Sequence, residues 1–358
     1  MVSRSMAFGA AVTVAALSSA CKPDIVGRAS VVDSDRVLAV RSMHAEAKPG
    51  DATVEYSALY VGKKGAVDPV ALKWSFCTTP KPLAVTGPIA PVCLAPTGKY
   101  LQPIPQDGTV TAPIPEDACK KFGPTAPEGP PPGRAADPDT TGGYYQPVRV
   151  LVPVNNGAPD YAVGVTRLDC GLAGATLEQS ADYTKRYRPN ENPAIDSLEL
   201  TRSGGKRVTL EADAAPDATA VTVAPSETVT LRATWPKCPS KFVCGDGICS
   251  PGETVTDCPD FPTECGTPNG CTGAEPYVAL DPVNHVLADR REAIRVSWFT
   301  TDGDYSHERT GRTEDDSAVF SDNEFTAPSD RGRVFLWVVL RDDRGGVGFT
   351  GYRIDVQP

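Results

Sequence analysis

Six of the eleven cysteines crowd into a polar run between Cys238 and Cys271, together with several carboxylates. The centre of this run reads Cys-Gly-Asp-Gly-Ile-Cys-Ser-Pro-Gly-Glu over residues 244–253. Calcium binds about six to eight oxygen ligands, so acids on a loop held by disulfides can form a calcium site. The candidate ligands are Asp246, Glu253, Asp257 and Asp260. The alternative is that these carboxylates only solvate a cross-linked knot, because their spacing is not that of an EF-hand.

Disulfide bonds explain the cysteines better than zinc does. Cys244 and Cys249 lie further apart than tightly paired zinc ligands, and no histidine lies near them. The run has almost no apolar residues and cannot fold on a core of its own, so cross-links must hold it. Setting Cys21 aside from the eleven leaves ten cysteines, an even number that suits an oxidising compartment. The predicted disulfide cysteines are Cys77, Cys93, Cys119, Cys170, Cys238, Cys244, Cys249, Cys258, Cys265 and Cys271.

The pairing of these cysteines stays open from the sequence. The four in the first half allow three connectivities. A bridge between Cys77 and Cys93 is one hypothesis. It would close a loop of about fifteen residues and stabilise the fold by roughly 3 kcal/mol in the chain-entropy account.

The first twenty residues have the layout of an export signal. Arg4 supplies the positive start, residues 7–17 are mostly apolar, and small residues end at Ala20. The apolar stretch is too short to span a bilayer as a permanent helix. With Cys21 next, the segment resembles a bacterial lipoprotein signal, although Ser18 stands where that family usually has leucine. The resemblance implies that Cys21 is lipidated; the alternative is ordinary cleavage after Ala20, which leaves a free thiol.

The net charge of the chain and the distribution of its basic residues disfavour some classes of binding partner. The formal net charge is −10, and no stretch concentrates lysine and arginine, which disfavours nucleic acid. By the lipoprotein resemblance, Lys22 after the cysteine implies the outer membrane. We therefore expect a membrane contact through the lipid anchor, with envelope proteins or polysaccharide as candidate partners and no nucleic acid.

Alternating apolar residues predict strands through most of the chain. The clearest alternation covers residues 54–60, 70–76, 148–154, 161–165 and 198–210. Residues 334–340 are apolar on both faces, which predicts a central strand. Residues 78–143 lose the pattern and fill with proline, which predicts a long surface loop. The one helical stretch is predicted between Leu177 and Pro193.

Two prolines within residues 188–193 block both helix and strand, which places a domain boundary there. The predicted organisation is a signal peptide (1–20), a tether after the lipidated cysteine (21–30), a first domain (31–187) with a proline-rich loop (78–143), and a second domain (188–358) with a cysteine-rich insert (238–271).

Three features resemble immunoglobulin-like domains of the bacterial cell-surface type. They are the mid-strand tryptophans Trp74 and Trp298, the Pro-x-Asp/Glu turns before Val-x-Tyr/Leu-x-Ala strands, and the closing hairpin Val-Val-Leu-Arg-Asp-Asp-Arg-Gly-Gly. The cysteine-rich run resembles repeats of secreted bacterial proteins and, more distantly, small calcium-binding modules of Notch type. These resemblances imply an all-β fold of two immunoglobulin-like β-sandwich domains in tandem, the second with a disulfide-rich inserted loop. The layout resembles Gram-negative secreted lipoproteins, a group that supplies no activity to carry over.

Catalysis has little support in the sequence. The histidines are His44, His285 and His307, and none lies in a Gly-x-Ser-x-Gly or His-Glu-x-x-His motif. We therefore predict that the chain is not an enzyme. Three aromatic residues at loop edges could instead stack on sugar rings or peptide, and these are Tyr144, Tyr145 and Trp235.

The sequence thus predicts a lipid-anchored cell-envelope protein with a structural, adhesive or ligand-presenting role. Calcium is the only candidate cofactor. The first alternative is a carbohydrate-binding surface module, which requires exposed coplanar aromatics near Tyr144 and Trp235. The second is an extracellular hydrolase or its accessory protein, which requires two carboxylates about 5–10 Å apart in one cleft.

Overall fold

Strands dominate the computed structural model of this chain. The structure describes residues 29–50, 53–68, 72–82, 85–107, 109–124, 143–152, 160–172, 175–212, 220–239, 271–281 and 284–358. Within these residues the strands form four five-stranded sheets and one two-stranded hairpin. The prediction of an all-β fold is confirmed, and the four large sheets pair into two sandwiches along the chain.

The first sandwich is built from strands between residues 36 and 168. They are β1 (Arg36–Ser42), β2 (Glu46–Ala47), β3 (Thr53–Gly62), β4 (Gly65–Ala66), β5 (Lys73–Cys77), β6 (Leu101–Pro103), β7 (Gln106–Asp107), β8 (Thr109–Pro113), β9 (Tyr144–Val152) and β10 (Asp160–Leu168). One sheet has the order β1-β3-β8-β7, with β4 beside β3, and the other has the order β2-β10-β9-β5-β6. The two sheets enclose a core in which the Tyr56 ring contacts Trp74 and Phe76 from the facing sheet, at 6.3 and 5.8 Å between centroids.

The second sandwich is built from strands between residues 197 and 356. They are β11 (Ser197–Thr201), β12 (Arg207–Leu210), β13 (Val221–Val223), β14 (Thr228–Thr234), β15 (Pro276–Asp281), β16 (Val286–Arg291), β17 (Ile294–Thr300), β18 (Asp304–Tyr305), β19 (Arg309–Arg312), β20 (Phe320–Thr326), β21 (Gly332–Arg341) and β22 (Val347–Val356). Its sheets have the orders β12-β11-β14-β20-β18 and β13-β22-β21-β17-β19, and β15 pairs with β16 as a separate hairpin. Trp235 and Trp298 lie fully inside its core.

Helices are few and short in the described residues. Besides a 3-10 turn at Pro91–Leu94, they are α1 (Ala118–Phe122) and α2 (Leu177–Arg186). A capping box between Thr176 and Gln179 starts α2, which confirms the helix predicted in this region. The prediction of a single helical stretch is wrong, because α1 also forms. With five residues it is too short to show helical periodicity, and a disulfide at Cys119 ties it to the sandwich.

Alternation in the sequence becomes alternation in burial because successive side chains of a strand point to opposite faces. On β14, Val229, Leu231 and Ala233 are buried while the residues between them are partly exposed. On β21 both faces are buried, as predicted for a central strand, and the strand lies between β17 and β22. One face fills the core of the second sandwich.

The other face of β21 joins the two sandwiches. Trp337 and Val339 on that face pack with Leu38 of β1 and with Leu59 and Val61 of β3. Here the outer face of one sheet of the first sandwich lies against the outer face of one sheet of the second. The Arg41 guanidinium also lies 4.6 Å from the Phe349 ring centroid across this contact. We call this set of residues the apolar layer.

The proline-rich stretch corrects the prediction of a plain surface loop at 78–143. Within its described part, β8 pairs with β3 inside the first sandwich, and β6 pairs with β5. Ile89, Ile104 and Ile114 are buried. The stretch is therefore partly structural, because isolated apolar residues between prolines reach the core without the period-two pattern that signals a strand.

Candidate binding cleft at the domain junction

A cleft of about 670 Å³ opens where the two sandwiches meet. The first sandwich and the proline-rich stretch form one wall, and the start of β17 and the β21–β22 turn form the other. Its lining residues are Pro80, Lys81, Pro88, Ile89, Ala90, Phe122, Gly143, Tyr144, Tyr145, Pro147, Val165, Arg295, Asp342, Asp343 and Gly345. Most of the wall is apolar, and its charges come from two acids and two bases.

The wall from the proline-rich stretch is fixed at both ends. The disulfide Cys77–Cys93 closes the segment that contains Pro80, Pro88 and Ile89. The Arg149 guanidinium holds the far end, because its Nη1 donates to the carbonyls of Ala95 at 2.5 Å and Cys93 at 3.4 Å. A wall fixed in this way costs little conformational entropy when a ligand binds.

Phe122 reaches the cleft from α1, which a second disulfide holds in place. Cys119 on this helix is bonded to Cys170, which lies just after the end of β10. The two cysteines are 51 residues apart in the sequence. The chain-entropy account gives a loop of that length a stabilisation of roughly 4 kcal/mol. Two of the three disulfides in the described residues therefore support walls of this cleft.

Tyr145 and Gly345 meet across the junction. Gly345 has φ +98°, a left-handed conformation that favours glycine, and a Cβ there would lie 3.0 Å from Cε1 of Tyr145. On the other side, Nη1 of Arg167 donates to the Tyr145 hydroxyl oxygen at 3.2 Å. The tyrosine is thus held between the two sandwiches with a defined orientation.

The acidic wall comes from the β21–β22 turn. Asp342 is buried, and its Oδ1 accepts hydrogen bonds from the amides of Arg344 at 2.9 Å and Gly346 at 2.7 Å. Asp343 is half-buried, and its Oδ1 is a buried acceptor without a hydrogen-bond partner among the described residues. Burial raises the pKa of both carboxyl groups.

Behind this wall Arg344 forms the centre of a buried ion cluster. Its Nε donates to Glu292 at 2.6 Å and its Nη2 to Glu275 at 2.8 Å, and all three side chains are at most 1% exposed. Nη1 donates to the carbonyl of Arg188 at 3.0 Å. Burial raises the pKa of Glu275 to about 7 and raises that of Glu292 well above its usual range, although Arg344 opposes both shifts.

A second buried pair lies on the side of the first sandwich. Nε of Arg167 donates to Oε2 of Glu46 at 3.1 Å, and both side chains are nearly inaccessible. The Tyr187 hydroxyl also donates to Glu46, and the amide of Asn190 donates to it at 3.0 Å. Burial raises the pKa of Tyr187, and the Glu46 carboxylate reinforces that shift.

Residues 188–193, which connect the two sandwiches, form hydrogen bonds with the acids of both buried ion pairs. The amide of Glu191 donates to Glu275 at 3.1 Å, and the side-chain amide of Asn192 donates to the carbonyl of Ser42 at 2.8 Å. Asn192 Oδ1 accepts from the amide of Val347 at 2.9 Å. The predicted boundary segment, residues 188–193, is therefore partly buried and forms hydrogen bonds with both sandwiches. We call this set, from Glu46 and Arg167 to Glu275, Glu292 and Arg344, the polar junction.

Two of the three aromatic residues predicted as a stacking surface are buried. Trp235 is 1% exposed in the core of the second sandwich, and Tyr144 is 4% exposed in that of the first. Their burial counts against the carbohydrate-binding alternative, which requires exposed, coplanar rings near Tyr144 and Trp235. Both residues belong to period-two alternation that points them inward. Tyr145, one residue further along β9, faces the opposite side and reaches the cleft beside Tyr144.

The structure shows which of the predicted disulfide cysteines are bonded to each other in its described residues. Cys77 is bonded to Cys93, Cys119 to Cys170, and Cys238 to Cys271. The last bridge closes the base of the cysteine-rich insert. The remaining predicted disulfide cysteines lie outside the described residues, and they are Cys244, Cys249, Cys258 and Cys265.

The other predicted site residues lie outside the described residues as well. This holds for the lipidation site Cys21, and for the candidate calcium ligands Asp246, Glu253, Asp257 and Asp260. The parts of the chain that are described contain no group of three or more His, Cys, Asp or Glu side chains able to hold a metal. His44, His285 and His307 are exposed. No described helix is long and apolar enough to cross a membrane.

Sequence reasoning missed the charged residues of the cleft and the polar junction. The one signal for them was the closing hairpin Arg-Asp-Asp-Arg-Gly-Gly at residues 341–346, which was noted only for its likeness to a family. Its two aspartates, Asp342 and Asp343, line the cleft, and Arg344 lies behind them. Adjacent charges in a glycine turn usually face solvent, so the pattern gave no reason to expect burial.

No protein-family model and no curated protein matches this chain. Among solved structures, the D00-D0 domain of intimin aligns at 9% identity over 89% of this chain and 99% of that one, with a TM-score of 0.18. The native conformation of the E. coli alpha-2-macroglobulin aligns at 9% identity over 92% of this chain and 16% of that one, with a TM-score of 0.16. Similarity this low assigns neither a function nor a family, and the fold rests on the strands themselves.

Proposed function

We propose that this chain is an exported cell-envelope protein, lipid-anchored at Cys21 in the outer membrane, that presents a ligand-binding cleft and performs no catalysis. The observation that carries the proposal is the cleft itself, a concave site with mostly apolar walls between two sandwiches, with a buried polar junction behind it. Ligand sites favour concave, largely preformed, mostly apolar junctions between domains.

Disulfides support export. Three bridges form in the described residues, and such bonds persist in oxidising compartments outside the cytoplasm. The export signal and the cysteine at position 21 point the same way.

The geometry also suits an anchored protein with an accessible site. Val31, ten residues after Cys21 in the sequence, forms a bridge with Thr300 at the end of β17. Arg295, which lines the cleft, lies near the beginning of the same strand, about 17 Å away at the usual rise per residue. Val31 and the cleft therefore lie towards opposite ends of that strand.

Fractionation and mass spectrometry test the anchor. In cells that express the full chain, the protein should sediment with outer membranes, and its mature N-terminal peptide should carry acyl chains on Cys21. The variant Cys21→Ala should appear in the soluble fraction, whereas Ser18→Leu, which restores the usual lipoprotein residue, should remain anchored. An unmodified Cys21 in membrane-bound wild-type protein would refute the anchor.

Site-specific crosslinking tests the cleft. A photoreactive residue in place of Lys81, an exposed residue of the wall, should capture a ligand in intact envelopes. The matched control places it at Lys206, exposed on the turn between β11 and β12. Equal labelling at both positions would show that the cleft is not the binding surface.

A further inference from the structure

We infer that three arginines at the edge of the cleft form a binding site for a phosphate group. They are Arg295, Arg309 and Arg341, and we call them the arginine cluster. Arg295 lines the cleft, so the site rests on the proposed function and names the chemical class of the group that binds there.

Strand pairing brings the arginine cluster together from segments that are separate in the sequence. Arg295 of β17 lies directly opposite Arg341 of β21. On the other side of β17, Arg309 of β19 lies opposite Ser297. Residues two apart on a strand share a face with the residues opposite them, so all three arginine side chains lie on one face of the sheet. Side chains at such positions are close neighbours.

The arginine cluster has no acidic partner in an ion pair within the part of the chain that the structure describes. Like charges on neighbouring strand positions are destabilising. Burial lowers the pKa of Arg341, and the positive charge of Arg309 lowers it further. Arg333, on the same face of β21, provides the contrast, because Asp355 lies directly opposite it on β22 and pairs with it at 3.2 Å. One end of this sheet face therefore concentrates positive charge that a bound anion would neutralise.

The acids closest to the arginine cluster in the sequence do not neutralise it. Oε1 of Glu308 accepts a hydrogen bond from the amide of Ser30 at 3.3 Å. Asp342 and Asp343 also line the cleft, but neither forms an ion pair with an arginine of the cluster in the described residues. Burial raises the pKa of both aspartates, which disfavours their charged form.

The geometry of the arginine cluster suits a tetrahedral oxyanion. Nη2 of Arg341 donates to the carbonyl of Leu38 at 3.0 Å and Nη1 donates to Oγ of Ser297 at 3.4 Å, which fixes this guanidinium in place. Arg295 and Arg309 are exposed, so their guanidinium groups are accessible to a ligand. Each guanidinium can donate two parallel hydrogen bonds to one anion. A phosphate offers more oxygen atoms and more negative charge to three such groups than a single carboxylate does.

Calorimetry with small anions tests the site. The Cys21→Ala chain, which carries no lipid, is titrated at constant ionic strength with inorganic phosphate and with acetate. We expect phosphate to bind at least about tenfold more tightly than acetate. In Arg309→Gln, an exposed change, the phosphate affinity should fall about tenfold, the effect of one charge-assisted hydrogen bond. The matched control Arg333→Gln removes an exposed arginine that already has an acidic partner, and it should keep the full affinity.

Vesicles distinguish two sources of the phosphate group. The same chain is sedimented with vesicles of phosphatidylcholine mixed with phosphatidic acid, and with vesicles of phosphatidylcholine alone. Sedimentation with the first vesicles only, lost in Arg309→Gln, assigns the phosphate to a lipid headgroup. Binding of inorganic phosphate without sedimentation assigns it to a soluble phosphate compound.

Several outcomes would overturn the inference. They are no binding of phosphate in either form, equal affinity for phosphate and acetate, an unchanged phosphate affinity in Arg309→Gln, and a loss in Arg333→Gln as large as that in Arg309→Gln. If Arg309→Gln does not fold, the comparison of phosphate with acetate still decides. Crosslinking from Lys81 and the acylation of Cys21 do not depend on these results, so failure of the phosphate site is distinguishable from failure of the proposed function.

Discussion

The two sandwiches meet through two regions of opposite chemistry. The apolar layer buries Trp337, Val339, Leu38, Leu59 and Val61 with no ion pair among them. The polar junction buries two arginines and three glutamates. Burying apolar surface lowers the free energy by about 25 cal/mol per Å², whereas desolvating an ion pair often cancels the gain from its attraction.

This difference assigns different roles to the two regions. The apolar layer supplies the affinity between the sandwiches, but apolar contacts tolerate small shifts. The polar junction adds little net free energy, yet its bonds require fixed donor and acceptor positions. Because it lies directly behind Asp342 and Asp343, it fixes the geometry of the cleft. The predictions below separate these roles.

Removing Trp337 should produce the largest loss. Trp337 is 3% exposed, and replacing a buried tryptophan with alanine costs about 3–5 kcal/mol. In Trp337→Ala, guanidinium unfolding followed by fluorescence and circular dichroism should separate into two transitions, one for each sandwich. The control Trp298→Ala removes a core tryptophan from one sandwich and should lower its stability without uncoupling the pair. A single transition in Trp337→Ala would contradict the role of the apolar layer.

Breaking the ion cluster should cost about 3 kcal/mol. Arg344→Met leaves Glu275 and Glu292 buried without a cation, and uncompensated buried charge is strongly destabilising. Adding Glu275→Gln and Glu292→Gln to this variant should restore part of the loss because no charge then remains. Denaturant midpoints of the single and triple variants measure both effects. A triple variant less stable than Arg344→Met would contradict this account.

Raising the pH should destabilise the junction. In the folded protein the pKa of Glu275 is about 7, above its ordinary value near 4.5, so the folded state binds more protons between these values. This contribution to stability is therefore complete below about pH 4.5 and is lost as pH rises through 7. The unfolding free energy should fall with a slope of at most about 1.4 kcal/mol per pH unit for this group.

Comparison with Glu275→Gln isolates that slope. The variant lacks the titrating carboxyl group, so its unfolding free energy should depend less on pH between 5 and 7 than that of the wild type. Urea titrations at several pH values give the difference. Identical slopes would show that Glu275 is ionised in the folded protein throughout this range.

The sequence predicts features that are encoded in consecutive residues, but it does not predict contacts between residues that are far apart in the chain. The sequence predicts that strand β21 is central, because residues 334–340 are apolar on both faces. It does not show that the second face packs against the first sandwich. The charges of the junction come from separate segments around residues 46, 167, 275, 292 and 344. No local pattern connects them. Their burial follows only from the packing of one sandwich on the other.

The different positions of Tyr144 and Tyr145 also depend on strand pairing, which the local sequence does not show. Tyr144 and Tyr145 are adjacent in the sequence, and pattern alone treated them as one exposed pair. The register of β9 against β10, in which Tyr144 lies opposite Leu168 and Tyr145 opposite Arg167, sends the first to the core and the second to the junction. A shift of one residue would exchange them.

An exposed ion pair should have the smallest effect and completes the comparison. Arg290 donates to Glu314 through both Nε and Nη2 at 2.8–2.9 Å, a geometry as good as that of Arg344, but both side chains are more than a third exposed. Exposed pairs contribute about 0.2–1 kcal/mol because water and salt screen them. Arg290→Met should therefore lower the unfolding free energy by less than about 1 kcal/mol, with the difference vanishing in 1 M sodium chloride. A loss equal to that of Arg344→Met would show that burial does not distinguish the two pairs, and that the polar junction owes its importance to something other than desolvated charge.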